Sequence, residues 1–99
     1  MSTEDRQAAQ RRLAYLLTIV RGMPAGKDQL ARLLEEAEAL ERAIAAFHLE
    51  GIRFRIYNVD RIVQHPPVPL PPEAPAIVAD VRKHLEAAGF HTRSHQSPV

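Results

Sequence analysis

The stretch Gly51-Ile52-Arg53-Phe54-Arg55-Ile56-Tyr57 decides the predicted fold, because the hydrophobic period of the chain changes there. Its apolar side chains alternate with Arg and Tyr, and a period of two residues is typical of a strand with one buried face. We therefore predict a strand region over residues 51–64. Ile52, Phe54 and Ile56 are expected on its apolar face, with the arginines on the opposite face.

Upstream of this stretch, residues 4–50 show the alternating spacing of three and four residues that indicates two amphipathic helices. Gly22 and Pro24 interrupt the pattern, and so short a link predicts an antiparallel helical hairpin. Gly51 is expected to end the second helix, whose outer face carries acidic residues such as Glu36. The predicted core or interface residues of the hairpin and the strand are Leu13, Leu16, Leu30, Leu33, Leu40, Ile44, Ile52, Phe54 and Ile56.

Downstream of the strand region, residues 65–75 hold six of the eight prolines of the chain. No helix or central strand can pass through such a segment, so we predict an extended connector. Residues 76–95 follow as a helix and a short second strand. The predicted fold is α+β in a single domain over residues 1–99. An N-terminal antiparallel helical hairpin precedes a small β-(Pro-rich crossover)-α-β unit.

The composition is that of one folded domain. The chain has 99 residues, of which 45% are hydrophobic and 25% charged, and its net charge is +1. It has no cysteine, which excludes a disulfide framework, a thiolate nucleophile and a Cys-ligated metal site. The first residues are polar, and no apolar run reaches the roughly 18 residues of a membrane span. We expect a cytoplasmic protein without a membrane partner.

Residues that could support catalysis are present but are not arranged in a recognisable motif. Asp80 and His84 lie four residues apart on a predicted helix, without a nucleophile beside them. His91 and His95 fall on a predicted strand and tail, where this spacing does not direct both rings to one ion. We assign no catalytic residue, metal or cofactor. A small ligand-binding protein or hydrolase stays open as an alternative, with a candidate pocket formed by Tyr57, Asp60, His65 and His84.

A second alternative is a nucleic-acid-binding regulator that uses the Arg-rich face of the strand. A ribbon with Arg and Tyr outward can lie along phosphates. The residues expected to contact phosphate are Arg53, Arg55, Arg61, Arg82 and Lys83. The net charge of +1 argues against this alternative, because nucleic-acid binders gain affinity from excess positive charge.

The leading interpretation comes from the shortage of strands. A ribbon of two strands is marginally stable in water, and an exposed strand edge pairs readily with another chain. We therefore expect a homodimer in which strands from two subunits join in one sheet. The alternative is that the third helix covers the helical hairpin within one chain. The predicted function is that of a small non-enzymatic interaction module, acting as a homodimeric adaptor or regulator. Another protein stays open as a further partner.

Overall fold

A computed structural model describes residues 3–24, 26–90 and 92, and all regular structure in these residues is helical. The helices are α1 (Thr3–Arg21), α2 (Ala31–Ala45), α3 (Leu49–Gln64) and α4 (Ala74–Ala87). The predicted α+β fold is therefore wrong, since no strand occurs in this part of the chain. None of the helices found here is long and apolar enough to cross a membrane.

The predicted strand region is helix α3. Its four buried aliphatic residues, Ile52, Ile56, Val59 and Val63, follow one another at spacings of four, three and four residues. This spacing places all four on one side of a helix. The alternation of Ile52, Phe54 and Ile56 covers too few residues to distinguish the two patterns, and the longer stripe decides in favour of the helix. Phe54 consequently points away from the core and is 42% exposed.

The second predicted strand is not seen either. Phe90 and Thr92 are buried but belong to no strand, and the remaining positions of that segment, 91 and 93–94, lie outside the described residues. Helix α4 ends as the sequence predicts, with Gly89 in a left-handed conformation at φ 100°. The β-α-β unit is thus replaced by two helices joined by the Pro-rich segment.

Helix α2 ends earlier than predicted, and a different residue makes the turn. Phe47 adopts φ 56°, and its N–H donates to the Ile44 carbonyl at 3.2 Å. The His48 N–H donates to the Ala43 carbonyl at 2.9 Å, which completes a Schellman motif. A phenylalanine in this conformation is costly, by about 1–2 kcal/mol on general grounds. Its ring compensates by packing at 6.2 Å, between centroids, against Phe90.

Gly51 lies inside the first turn of α3 and does not terminate α2. His48 caps α3, since its Nδ1 accepts a hydrogen bond from the Gly51 N–H at 3.1 Å. A Cβ at position 51 would collide with the His48 ring and approach the Ala43 Cβ to 3.2 Å. Glycine is therefore present because α2 and α3 approach each other closely here.

The four helices of the described residues pack in a closed ring, in which α1 contacts α2 and α4, and α3 contacts the same two helices. The predicted neighbours α1 and α2 do pack together, but α1 packs more extensively on α4, and α2 on α3. Two side-chain pairs show that α1 and α4 are antiparallel: Arg12 with Asp80 at 3.1 Å, and Asp5 with His84 at 3.3 Å. The core is a single aliphatic cluster with contributions from all four helices.

The Pro-rich segment connects α3 to α4 and packs on the linker between α1 and α2. Val68 and Leu70 lie against the core. The Val68 side chain contacts Gly26, in the linker between α1 and α2, so closely that a Cβ on Gly26 would lie 2.9 Å from its Cγ2. Gly26 also has φ 83°, which favours glycine. The two linkers thus support each other at one end of the helical ring.

Candidate functional site

The contact between α2 and α3 contains a buried carboxylate, Glu36, which is 4% exposed. Arg55 Nη1 donates to both carboxylate oxygens, at 3.0 and 3.1 Å. Asn58 Nδ2 donates to Oε1 at 3.0 Å, and Arg32 Nε donates to Oε2 at 3.1 Å. The carboxylate is thus fully supplied with donors, which is the condition for burying it. The sequence pattern predicts Glu36 on the outer face of α2, so this buried cluster is not foreseen from it.

The electrostatics of this cluster favour an ionised Glu36. Burial disfavours the charge and by itself raises the pKa of Glu36. Hydrogen bonds from Asn58, Arg55 and Arg32, together with the positive charge of Arg55, outweigh this effect. The net result is that the pKa of Glu36 lies below its ordinary value of 4.5. The cluster therefore acts as a charged clamp between α2 and α3 at neutral pH.

Beside the clamp, the seam between α2 and α3 opens into a groove with a volume of about 680 Å³. Small residues form much of it, because Ala39 and Ala43 of α2, and Ala46 just after its end, lie opposite Gly51 of α3. Larger side chains complete the lining, and they are Arg42, His48, Glu50, Phe54 and Arg55. The groove is open to solvent and combines an apolar floor with a charged rim. Grooves of this kind accept apolar side chains of a protein partner.

One of the large exposed apolar side chains, Phe54, lines this groove. Among the described residues, the large exposed hydrophobics are Tyr15, Phe47, Leu49 and Phe54. Three of these four lie within the short stretch from Phe47 to Phe54, around the start of α3. The Arg55 guanidinium lies 5.0 Å from the centre of the Phe54 ring. The Phe47 ring lies elsewhere, against Phe90 and beneath the Arg6 guanidinium, so Phe54 is the exposed aromatic residue of this groove.

The residues predicted to contact phosphate do not form one face. They are Arg53, Arg55, Arg61, Arg82 and Lys83. Three of them pair with carboxylates of the same chain: Arg53 with Glu50 at 3.6 Å, Arg55 with Glu36 at 3.0 Å, and Arg82 with Asp60 at 3.3 Å. Arg61 lies 5.8 Å from the centre of the Tyr57 ring. Without a strand, the Arg-rich strand face does not exist, because on a helix positions 53, 55 and 61 point in different directions.

The residues of the predicted pocket have separate partners. His84 of α4 meets Asp5 of α1, and Asp60 meets Arg82. Asp80, which the sequence pairs with His84, contacts Arg12 instead. The Tyr57 ring lies beside the Arg61 guanidinium. His65 lines a smaller groove of about 340 Å³, together with Arg32, Asn58, Arg61 and Ile62. The described residues contain no group of three or more His, Asp or Glu side chains that could hold a metal ion.

The predicted core or interface residues, apart from Phe54, are at most 1% exposed within a single chain. They are Leu13, Leu16, Leu30, Leu33, Leu40, Ile44, Ile52 and Ile56. These eight side chains already have their partners inside the helical ring, so they cannot also form a contact with a second molecule. Phe54 is the exception, because the helical period turns its side chain towards the surface.

The surface between α2 and α3 thus combines an open groove, an exposed phenylalanine and a charged rim. Relatives of known function add nothing to this evidence. The chain matches no protein-family model, and comparisons with curated proteins and with solved structures give no significant match.

Proposed function

We propose that this protein is a small non-enzymatic interaction module that acts as a homodimeric adaptor or regulator. The observation that carries the proposal is the exposed side chain of Phe54, which lines the open groove between α2 and α3. Burying a large apolar side chain contributes up to about 1.5–3 kcal/mol, so Phe54 gains from being covered by a second molecule.

The sheet edge that motivated a homodimer in the sequence analysis is absent from the described residues, so self-association has to use a helical surface. The outer face of α3 offers one, because its aromatic residues are surrounded by charges of both signs, such as Glu50 and Arg42. An apolar centre with a charged rim is the usual composition of a protein–protein contact. Phosphate binding is less favoured, since three of its five predicted arginines and lysines are already engaged in ion pairs within the chain.

The proposal is tested by measuring the molar mass of the full chain by sedimentation from about 1 μM to about 1 mM, the range of weak to moderate affinities. We expect the mass to rise from that of one chain towards that of two. Phe54→Ala should abolish or strongly reduce this rise.

Tyr15→Ala is a matched control for this variant. Tyr15 is an exposed aromatic residue on α1, 46% exposed against 42% for Phe54, and an arginine lies over each ring. It should leave the association unchanged. A wild-type chain that stays monomeric throughout the range would contradict the proposal, and so would an equal effect of the two substitutions.

A further inference from the structure

The outer side of α3 carries a second stripe, opposite its buried one. Glu50, Phe54, Tyr57 and Arg61 follow one another at spacings of four, three and four residues, so they share one side of the helix. The Glu50 side chain is 74% exposed, Phe54 and Arg61 are exposed, and Tyr57 is half-buried. This outer stripe has an acidic residue at its start, two aromatic residues in the middle and a basic residue at its end.

The outer stripe is complementary to itself when it is reversed. Glu50 and Arg61 lie at equal distances from the midpoint between residues 55 and 56, and so do Phe54 and Tyr57. Two antiparallel copies of α3 therefore align each glutamate with an arginine and each phenylalanine with a tyrosine. In a parallel alignment the same residues would oppose like charges at both ends, which is unfavourable.

We propose that two copies of this chain associate through the outer stripes of α3, packed antiparallel about a two-fold axis near residues 55 and 56. Glu50 of each copy pairs with Arg61 of the other, and the aromatic residues Phe54 and Tyr57 form the centre. This arrangement rests on the proposed function and specifies its interface. It is isologous, which is the commonest symmetry of protein dimers.

The dimensions of the outer stripe fit this arrangement. Glu50 and Arg61 are eleven residues apart, which corresponds to about 16 Å along a helix, so the charge pairs enclose the aromatic centre. Asp60, on the flank of α3, is paired with Arg82 of the same chain and takes no part in the contact.

The contacts that Glu50 and Arg61 make within one chain are weak enough to be exchanged. Arg53 Nη1 lies 3.6 Å from Glu50 Oε2, and Arg61 lies 5.8 Å from the centre of the Tyr57 ring. Exposed pairs at such distances are weak, so their side chains can turn to a second partner at small cost. A contact through one helix per subunit is small, and we expect a weak, reversible dimer.

Charge reversal tests the arrangement. Glu50→Arg and Arg61→Glu should each weaken self-association at least roughly tenfold, because each variant opposes like charges at both symmetric contacts. An equimolar mixture of the two variants should associate, because one variant then carries positive charges at both ends of its outer stripe and the other carries negative charges at both ends. Arg11→Glu is the control: it makes the same charge change as Arg61→Glu at an exposed position of α1 and should have no effect.

The double variant Glu50→Arg/Arg61→Glu provides a further check on folding. It places a positive charge in the first turn of α3 and a negative charge in the last turn, which is the unfavourable order for the helix dipole. Recovery of association to within roughly threefold of the wild type therefore cannot result from a more stable helix. Circular dichroism of each variant measures its helix content independently.

The outcomes separate this inference from the proposed function. A wild-type chain that stays monomeric overturns both. A wild-type dimer with no association in the mixture, and with losses that add in the double variant, overturns the α3 arrangement but leaves the interaction module in place. Association in the mixture but not in either variant alone confirms the antiparallel pairing.

Discussion

At the scale of single residues, the Glu36 clamp shows how a charge can be kept inside a small helical protein. Its oxygens receive hydrogen bonds from Arg32, Arg55 and Asn58. A buried carboxylate that lost these donors would be left with a large desolvation cost. The clamp therefore fixes the alignment of α2 on α3 as well as stabilising their contact.

Replacing Glu36 with Gln should lower the free energy of unfolding at pH 7 by about 1–3 kcal/mol, because the charge-assisted bonds from Arg55 are weakened. Since the folded-state pKa of Glu36 is lowered, its contribution is fully present above pH 4.5 and is lost as the pH falls through the folded-state pKa. The stability difference between the two proteins should therefore shrink in acid. Urea unfolding at pH 7 and pH 3 measures it, and a difference that does not depend on pH would contradict the assignment.

Gly51 is the second residue whose role is set by its surroundings. Gly51→Ala raises intrinsic helix propensity by about 1 kcal/mol, so an isolated helix would become more stable. In the folded protein we expect the opposite sign, because the new methyl group meets the His48 ring and lies 3.2 Å from the Ala43 Cβ. Thermal unfolding of the variant decides between these effects, and a raised melting temperature would show that α2 and α3 separate easily here.

At the scale of elements, α3 is the segment on which the fold prediction fails. A strand and a helix bury different members of the same set of three residues. A strand would bury Ile52, Phe54 and Ile56 together, whereas the helix buries the two isoleucines and exposes Phe54. The continuation of the pattern to Val59 and Val63 favours the helix, and only the full stripe reveals it.

This difference gives a direct test of α3 in the monomer. Ile56→Ala should destabilise the fold by about 2–5 kcal/mol, as is usual for truncation of a buried isoleucine. Phe54→Ala should cost less than about 1 kcal/mol, since the side chain is exposed and loses mainly its contact with Arg55. Chemical denaturation at low protein concentration compares them. Equal losses of several kcal/mol would favour the strand prediction.

At the scale of the whole molecule, the helical ring is closed by contacts that are distant in sequence. Helix α1 packs mainly on α4, the last helix, and the Pro-rich segment packs through Val68 on Gly26. Neither contact can be predicted from local pattern, because each depends on how the intervening chain folds. The first and last helices of the described chain are therefore held together, and the Pro-rich segment is held against the linker between α1 and α2.

Gly26→Ala should test this coupling. Both the φ of 83° and the approach of Val68 oppose a side chain at this position, so we expect a loss of stability of about 1–2 kcal/mol. The same substitution at Gly22 is a suitable control, since Gly22 has no left-handed φ and its nearest contact would be a backbone oxygen at 3.3 Å. Thermal unfolding compares the two variants, and equal losses would show that the linker contact contributes little.

The sequence by itself determined that the first two segments and the last one are helical, the aliphatic stripes that form their core, and the stop at Gly89, because these depend on local periodicity and backbone preference. It indicated the break at the Pro-rich segment for the same reason. It did not determine where α2 ends. Only the tertiary structure decided that residues 51–64 are helical, that Glu36 is buried and that Phe54 is exposed. These features depend on which neighbour lies beside each face, and short-range patterns do not contain that information.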